Sequence, residues 1–201
     1  MDSLTVDSLT VSAELVMSLA LGIGLSAACG FRVFVPFLFM NVAAQAGYLD
    51  LAEGWSWIGS IPALIIFATA TILEVTAYYV PWLDNLLDSI ATPAAIVAGI
   101  VATAAVISGM SPLLTWTLAA IAGGGTAGLI QTGTVMLRGM SSTTTFGAGN
   151  AFVSTSELFS SVMLSMLPFV LPWLTVVFVA LLLLWVWRRI GRRIGLSRAA
   201  R

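Results

Sequence analysis

The feature that most constrains this chain is an apolar stretch over residues 15–48, interrupted near its middle by the segment GFRVFVP at residues 30–36. As one helix at about 1.5 Å per residue the stretch would be about 50 Å long, whereas the hydrocarbon core of a bilayer is about 30 Å thick. Gly30 and Pro36 both disfavour regular helix at this point, since Pro36 has no N–H to donate to the carbonyl of Arg32. The sequence therefore predicts a broken or re-entrant helical hairpin with Arg32 at the break.

The composition predicts an all-α membrane protein. The 201 residues are 59% hydrophobic and 8% charged, whereas soluble domains average about 25% charged residues. The apolar runs are continuous rather than alternating, which argues against a transmembrane barrel. The length predicts a polytopic helical bundle of five to six transmembrane segments in one domain, residues 14–190. A polar acidic tail at residues 1–13 and a basic tail at residues 191–201 flank this domain.

The later part of the chain divides into apolar runs separated by polar connectors. The predicted segments are a span at 58–80, a short surface helix at 81–93 that carries Asp84 and Asp88, and spans at 94–109 and 113–137. Residues 138–157 are rich in Ser, Thr and Gly and predict an extramembrane loop, or an irregular segment that dips into the protein.

The predicted last helix follows this polar stretch. Ser154, Thr155 or Ser156 is expected to cap it, with Glu157 in its first turn. The helix is predicted to continue to Trp187, with bends at Pro168 and Pro172.

The distribution of arginine predicts the topology. All eight positive charges are arginine, and they include a cluster at residues 188–193. Because cytoplasmic flanks are enriched in Lys and Arg, we expect a cytoplasmic C-terminus in the bacterial inner membrane. Counting back places residues 138–157 outside, where Arg138 runs against the rule. The N-terminus is predicted outside if residues 15–48 make one bent crossing, and inside if they make a hairpin or two crossings.

Four polar residues are the candidate site for a solute or ion: Arg32, Glu74, Asn150 and Glu157. An ionisable side chain inside the membrane is a functional hypothesis by default, and the alternative is a structural Arg–carboxylate pair. Arg32 is expected to pair with Glu74 first and with Glu157 second, or with helix-end carbonyls. Because the chain has no histidine and one cysteine, we predict no catalytic residue, metal site or cofactor. The net charge of −1 offers no basic surface for nucleic acid.

Small residues predict close helix packing in two places. Ala20, Gly24 and Ala28 lie in the first apolar run, before the break at Gly30, and Gly124 and Gly128 lie in the glycine-rich centre of the span at 113–137. Small residues at four-residue spacing let helices approach closely in lipid. We expect this contact either within the chain or between the subunits of a homo-oligomer.

Three polar stretches resemble a known family. Residues 30–36 are similar to the Gly-Leu-Arg-Ala-Phe-Leu-Pro opening of the bacterial integral-membrane family called domain of unknown function 4126. Residues 73–93 resemble its Leu-Glu … Pro-x-Val-Asp-x-Leu-x-Asp … Thr-Pro segment, and residues 149–157 its Ser-Asn-Pro … Ser … Glu loop. Tyr78 and Tyr79 stand where members often carry Asp-Lys. The resemblance covers about residues 15–190 and implies a membrane protein without implying an activity.

Two function hypotheses follow from these observations. The first is a small transporter or channel for a small solute or a lipid headgroup, with an anionic solute suggested by Arg32. Broken helices at membrane depth are where transporters place their sites. The second is a non-transporting membrane scaffold or assembly protein whose buried polar groups only hold helices together. The expected partners are the lipid bilayer, an unknown small solute and further copies of the chain.

Overall fold

A computed structural model describes residues 2–145 and 149–199, with side chains described for residues 14–80, 87, 89–145 and 149–188. These residues are all-helical and contain no strand. The helices are α1 (Asp2–Cys29), α2 (Phe34–Gln45), α3 (Ile61–Ala77), α4 (Pro81–Ala104), α5 (Pro112–Leu118), α6 (Gly125–Thr145), α7 (Asn150–Val170) and α8 (Pro172–Ala199). A π-helical segment, Ala119–Gly124, joins α5 to α6, and a 3-10 turn, Ser56–Gly59, precedes α3.

The helices run back and forth between two ends of one bundle. At one end, called the Ala52 end, the N–H of Ala52 after α2 donates to the carbonyl of Ala105 after α4 at 2.8 Å. At the other, called the Tyr79 end, the hydroxyl of Tyr79 after α3 lies 2.9 Å from that of Thr155 in α7. With Pro112–Thr145 counted once, the described helices make seven passes.

Helix α1 occupies the centre of the bundle. It packs against α2, α4, α6, α7 and α8. Its last two turns carry small buried residues, among them Ala27, Ala28 and Cys29, and small side chains let neighbouring helices approach closely. Cys29 belongs to an apolar cluster with Phe37 and Met40 of α2, so it is a packing residue.

Residues 15–48 form a hairpin and not one bent crossing. Helix α1 ends at Cys29 and α2 begins at Phe34, and α2 returns the chain to the Ala52 end. Pro36 lies in the first turn of α2. N–H groups in the first turn have no intrahelical acceptor, so the missing N–H of proline costs no hydrogen bond there. Pro36 therefore opens α2 instead of interrupting a longer helix. A Cβ built on Gly30 would lie 2.7 Å from the Cβ of Ile130, so only glycine lets this turn approach α6.

The predicted loop at residues 138–157 is largely helical, because α6 continues to Thr145 and α7 begins at Asn150. The prediction of a loop was wrong because the Ser and Thr hydroxyls bond to carbonyls within their own helix, as Thr144 does to Met140 at 2.8 Å. Ser154 lies inside α7 and does not cap it. The predicted surface helix at 81–93 and the span at 94–109 are likewise one helix, α4, with Pro93 inside it.

The predicted single last helix is two helices. Leu171 interrupts it, with φ −141° and ψ 70°, because Pro172 disfavours the helical conformation of the residue before it. Helix α8 then returns to the Tyr79 end, where Val186 lies 3.2 Å from a Cβ built on Gly133 of α6. The start of α7 and the last described turns of α8 therefore share one end of the bundle. The sequence had placed them on opposite sides.

Several expectations fall at the edges of the described chain. Helix α1 begins at Asp2 and α8 extends to Ala199, so most of both predicted tails is helical. The side chains of residues 1–13, Asp84, Asp88 and residues 189–199 lie outside the described residues. Among the described helices, Pro112–Thr145 and Asn150–Val170 are long and apolar enough to cross a bilayer, judged by length and composition.

Candidate functional site

A cluster of buried charges lies where the α1–α2 turn meets α6 and α7. Its members are Arg32, Arg138 and Glu157, with 1%, 2% and 4% of their surface exposed. Nη2 of Arg32 lies 3.5 Å from Oε2 of Glu157. Arg138 donates from Nε to Oε1 of Glu157 at 3.0 Å and from Nη2 to Oε2. One carboxylate therefore bridges two guanidinium groups.

Ser154 and Tyr78 complete this arginine cluster. Nη2 of Arg32 donates to Oγ of Ser154 at 2.8 Å and to its backbone carbonyl at 3.0 Å. The ring centroid of Tyr78 lies 3.9 Å from the guanidinium carbon of Arg32 and 4.0 Å from that of Arg138. An aromatic face at this distance attracts a cation. The cluster therefore joins the hairpin turn, the end of α3, α6 and α7.

Arg32 keeps N–H groups that no described residue accepts. Its Nε and Nη1 are buried and have no hydrogen-bond partner among the described residues. A guanidinium group carries five N–H donors, of which one on Nε and two on Nη1 are therefore unpaired here. Leaving a buried donor unsatisfied costs about 1–3 kcal/mol, and more for a charged group. Such donors call for water or an anionic ligand as their partner.

Glu74 binds the backbone and not Arg32, so the first-choice partner was wrong. Its Oε1 and Oε2 accept the N–H groups of Val33 at 2.7 Å and Phe34 at 3.1 Å. The first N–H groups of a helix lack intrahelical acceptors, and a negative charge is favoured there. Glu74 therefore caps α2, and the second-choice partner, Glu157, is the carboxylate beside Arg32.

We expect Glu74→Gln to lower the melting temperature of the purified protein. Glutamine keeps one acceptor oxygen and loses the charge, so one N–H of α2 loses its acceptor. The loss of a helix N-cap costs about 0.5–2 kcal/mol. Thermal unfolding measured beside Glu53→Gln, whose parent side chain is exposed, tests this. Equal melting temperatures for the two variants would contradict a capping role for Glu74.

The other predicted site residue, Asn150, lies outside the arginine cluster. Its Nδ2 donates to Oγ of Ser142 at 3.0 Å, so it holds the start of α7 to α6. Of the four predicted residues the structure thus brings together Arg32 and Glu157. It places Glu74 on the neighbouring helix start and Asn150 at the α6–α7 connection.

Sequence reasoning missed Arg138, Ser154 and Tyr78 as members of the cluster. Arg138 was interpreted only as a topology signal. A signal was nevertheless present, because Gln131, Thr134 and Arg138 recur at the three- and four-residue spacing of one helix face. All three are buried.

Gly124 and Gly128 pack against α4 of the same chain. A Cβ built on Gly124 would lie 2.9 Å from Cγ1 of Ile100, and one on Gly128 would lie 2.9 Å from Cγ1 of Ile96. Of the two alternatives left open for these glycines, the structure shows contact within the chain. They give no support to a homo-oligomer interface.

Fold and site together define an all-helical bundle in which two buried arginines share one glutamate. Among the described residues, no three His, Cys, Asp or Glu side chains are grouped as a metal site. The family model "Domain of unknown function (DUF4126)" matches residues 19–192, and the chain belongs to this family. No curated protein and no solved structure matches the chain.

Proposed function

We propose that this protein spans the membrane and transports a small anionic solute, which binds at the arginine cluster. Membrane insertion is supported by large apolar side chains that the bundle exposes. Examples are Ile65 at 62%, Leu113 at 77% and Leu181 at 61% of their surface. Exposed apolar surface spread over several helices is unfavourable in water, whereas helices satisfy their own backbone groups in lipid.

The proposed orientation places the Tyr79 end at the cytoplasmic side of the bacterial inner membrane. The arginines of residues 188–193 lie in the last part of α8, which ends at this side of the bundle, and cytoplasmic flanks favour arginine. Arg138, near the same end, then lies towards the cytoplasmic side and agrees with the enrichment of arginine there. Under this proposal, with seven passes, the N-terminus is expected on the opposite side.

The observation that carries the proposal is the set of unpaired N–H groups on Arg32. Within the arginine cluster two positive groups face one carboxylate, and the nearby Glu74 is already bound by two backbone N–H groups. An anion beside Arg32 would accept the unpaired donors on Nε and Nη1. Hydrogen bonds to a charged group are the stronger ones, at about 1.5–3 kcal/mol each.

Burial of the site favours a transporter over an open channel. Arg32 is 1% exposed, so a solute reaches it only when the cluster opens. Tyr78 is suited to open and close the cluster, because its ring lies over both guanidinium groups. The residue directly follows the last turn of α3. The interrupted helix at residues 30–33 provides the irregular backbone on which transporters build their sites.

The rival proposal is a scaffold protein whose charges are structural. The bidentate contact of Arg138 with Glu157 favours it, since this contact joins α6 to α7 without any solute. Under this proposal the unpaired donors of Arg32 bind water only.

Flux measurements distinguish the two proposals. We expect proteoliposomes to take up at least one of chloride, acetate and phosphate faster than protein-free liposomes. Arg32→Lys keeps the charge but has fewer donors, so uptake should fall roughly tenfold, the equivalent of about one charge-assisted hydrogen bond. Arg188→Lys is the matched control, because Arg188 is exposed, and it should keep the parental rate. Absence of uptake for all three anions by folded protein, or full uptake by Arg32→Lys, would favour the scaffold.

A further inference from the structure

A groove lies beside the arginine cluster, and its walls are mostly apolar where the cluster is charged. This groove, between the α1–α2 turn, α3 and α4, has a volume of about 430 Å³, within the range of small-molecule sites. Its walls are mostly apolar, with Phe34, Leu73 and Ile90 among them, and its polar lining residues are Glu74, Tyr78 and Gln131. Neither Arg32 nor Arg138 lines the groove, which shares only Tyr78 with the arginine cluster as described above.

The side-chain amide of Gln131 is the unusual group in this groove. Gln131 is 4% exposed and lines the groove from α6. The hydroxyl of Thr134 donates to its backbone carbonyl, and no other described side chain or backbone group is hydrogen-bonded to its side-chain amide. Buried polar side chains in folded proteins nearly always have a partner. The amide therefore presents both a donor and an acceptor to whatever occupies the groove.

The surrounding charges restrict the headgroup of that occupant. Glu74 lines the groove and repels an anion, whereas Arg32 and Arg138 lie against the ring of Tyr78 and repel a cation. A neutral group that both donates and accepts, such as a hydroxyl, meets neither repulsion. It can accept from Gln131 and donate to a carboxylate oxygen of Glu74.

The groove opens between apolar residues of α3 and α4, so its occupant is expected to come from the bilayer. Leu73 and Ile90 at its walls are 62% and 57% exposed, so in the proposed membrane orientation a hydrocarbon chain enters sideways from the bilayer. We propose that the groove binds a neutral single-chain lipid with a hydroxyl headgroup, its chain along α3 and α4 and its hydroxyl at Gln131. The site depends on membrane insertion but not on anion transport, because it uses neither arginine.

The test is ligand-dependent thermal stability of the protein in amphipol, which avoids competing hydroxyl-bearing detergents. The probes are 1-dodecanol, dodecanoate and dodecyltrimethylammonium, which share a twelve-carbon chain. We expect 1-dodecanol to raise the melting temperature by about 5 °C when it is well above its Kd, and the two charged probes to raise it less. No shift with 1-dodecanol, or a larger shift with either charged probe, would overturn the proposal.

Two variants locate the binding. Gln131→Met keeps the length of the side chain and removes the amide, so the preference for 1-dodecanol over the charged probes should disappear. Ala94→Trp fills the groove and should abolish the shift, whereas Val97→Trp, on the exposed face of α4, should keep it. If the three probes shift the melting temperature of Gln131→Met as they shift that of the parent, the site is refuted. The result for Gln131→Met is sufficient if Ala94→Trp does not fold.

Discussion

Glu157→Gln is expected to destabilise the protein by about 3–5 kcal/mol, the usual cost of removing one partner from a buried ion pair. The effect is large because two guanidinium groups depend on this carboxylate. Arg138 would lose its bidentate partner, and Arg32 would lose the charge 3.5 Å from its Nη2. With 2% and 1% of their surface exposed, neither arginine can recover its hydration without opening the α6–α7 contact.

Thermal unfolding in a mild detergent measures this loss. Glu14→Gln is the matched control, because Glu14 is exposed on α1 and its replacement should leave the melting temperature unchanged. A second change, Arg138→Met in the Glu157→Gln background, should restore part of the stability, since it removes one of the two uncompensated charges. Equal stability of Glu157→Gln and the control would show that the cluster does not hold the helices together.

The fold class could be predicted from the sequence more accurately than the helix boundaries. Continuous apolar runs predicted an all-helical protein, which the described residues confirm, and the motif at residues 30–36 indicated the family that the chain belongs to. The end of α7 at Leu171 was missed, because Pro168 and Pro172 were both interpreted as bends in one last helix. Only Pro172 ends a helix, whereas α7 accommodates Pro168. Because the missed helix end adds one pass, every connector counted back from the C-terminus falls at the other end of the bundle.

The composition of the arginine cluster could be predicted only in part. Arg32 and Glu157 stood out as ionisable residues near apolar runs, but sequence separation does not say which carboxylate meets which arginine. Glu74 is not the partner of Arg32 because it accepts the N–H groups of Val33 and Phe34 at the start of α2. These groups have no acceptor within the helix. Arg138 was missed because polar residues 138–145 were taken for loop, whereas their hydroxyls bond along α6.

The second large effect is expected at Gly99, where α4 meets the π-helical segment. A Cβ built on Gly99 would lie 2.6 Å from the Cβ of Ala127 and 2.8 Å from the carbonyl oxygen of Gly123. That carbonyl also accepts the hydroxyl of Ser26 at 2.8 Å, so α1, α4 and the π-helical segment meet at one point. Backbone atoms cannot move aside as a flexible side chain can, and a larger residue must therefore separate the helices.

Gly99→Leu should consequently lower the melting temperature by several degrees, since overpacking a core costs about 1–3 kcal/mol and a kilocalorie corresponds to about 2–4 °C for a chain of this size. Gly125→Leu is the control, because a Cβ at Gly125 meets nothing within 4 Å. Leucine there should leave stability unchanged or raise it, as glycine costs about 1 kcal/mol in a helix relative to good helix formers. Both variants make the same chemical change, so any difference between them reports the space at each position. If Gly99→Leu were as stable as Gly125→Leu, the close contact of α4 with the π-helical segment would not limit the packing of this bundle.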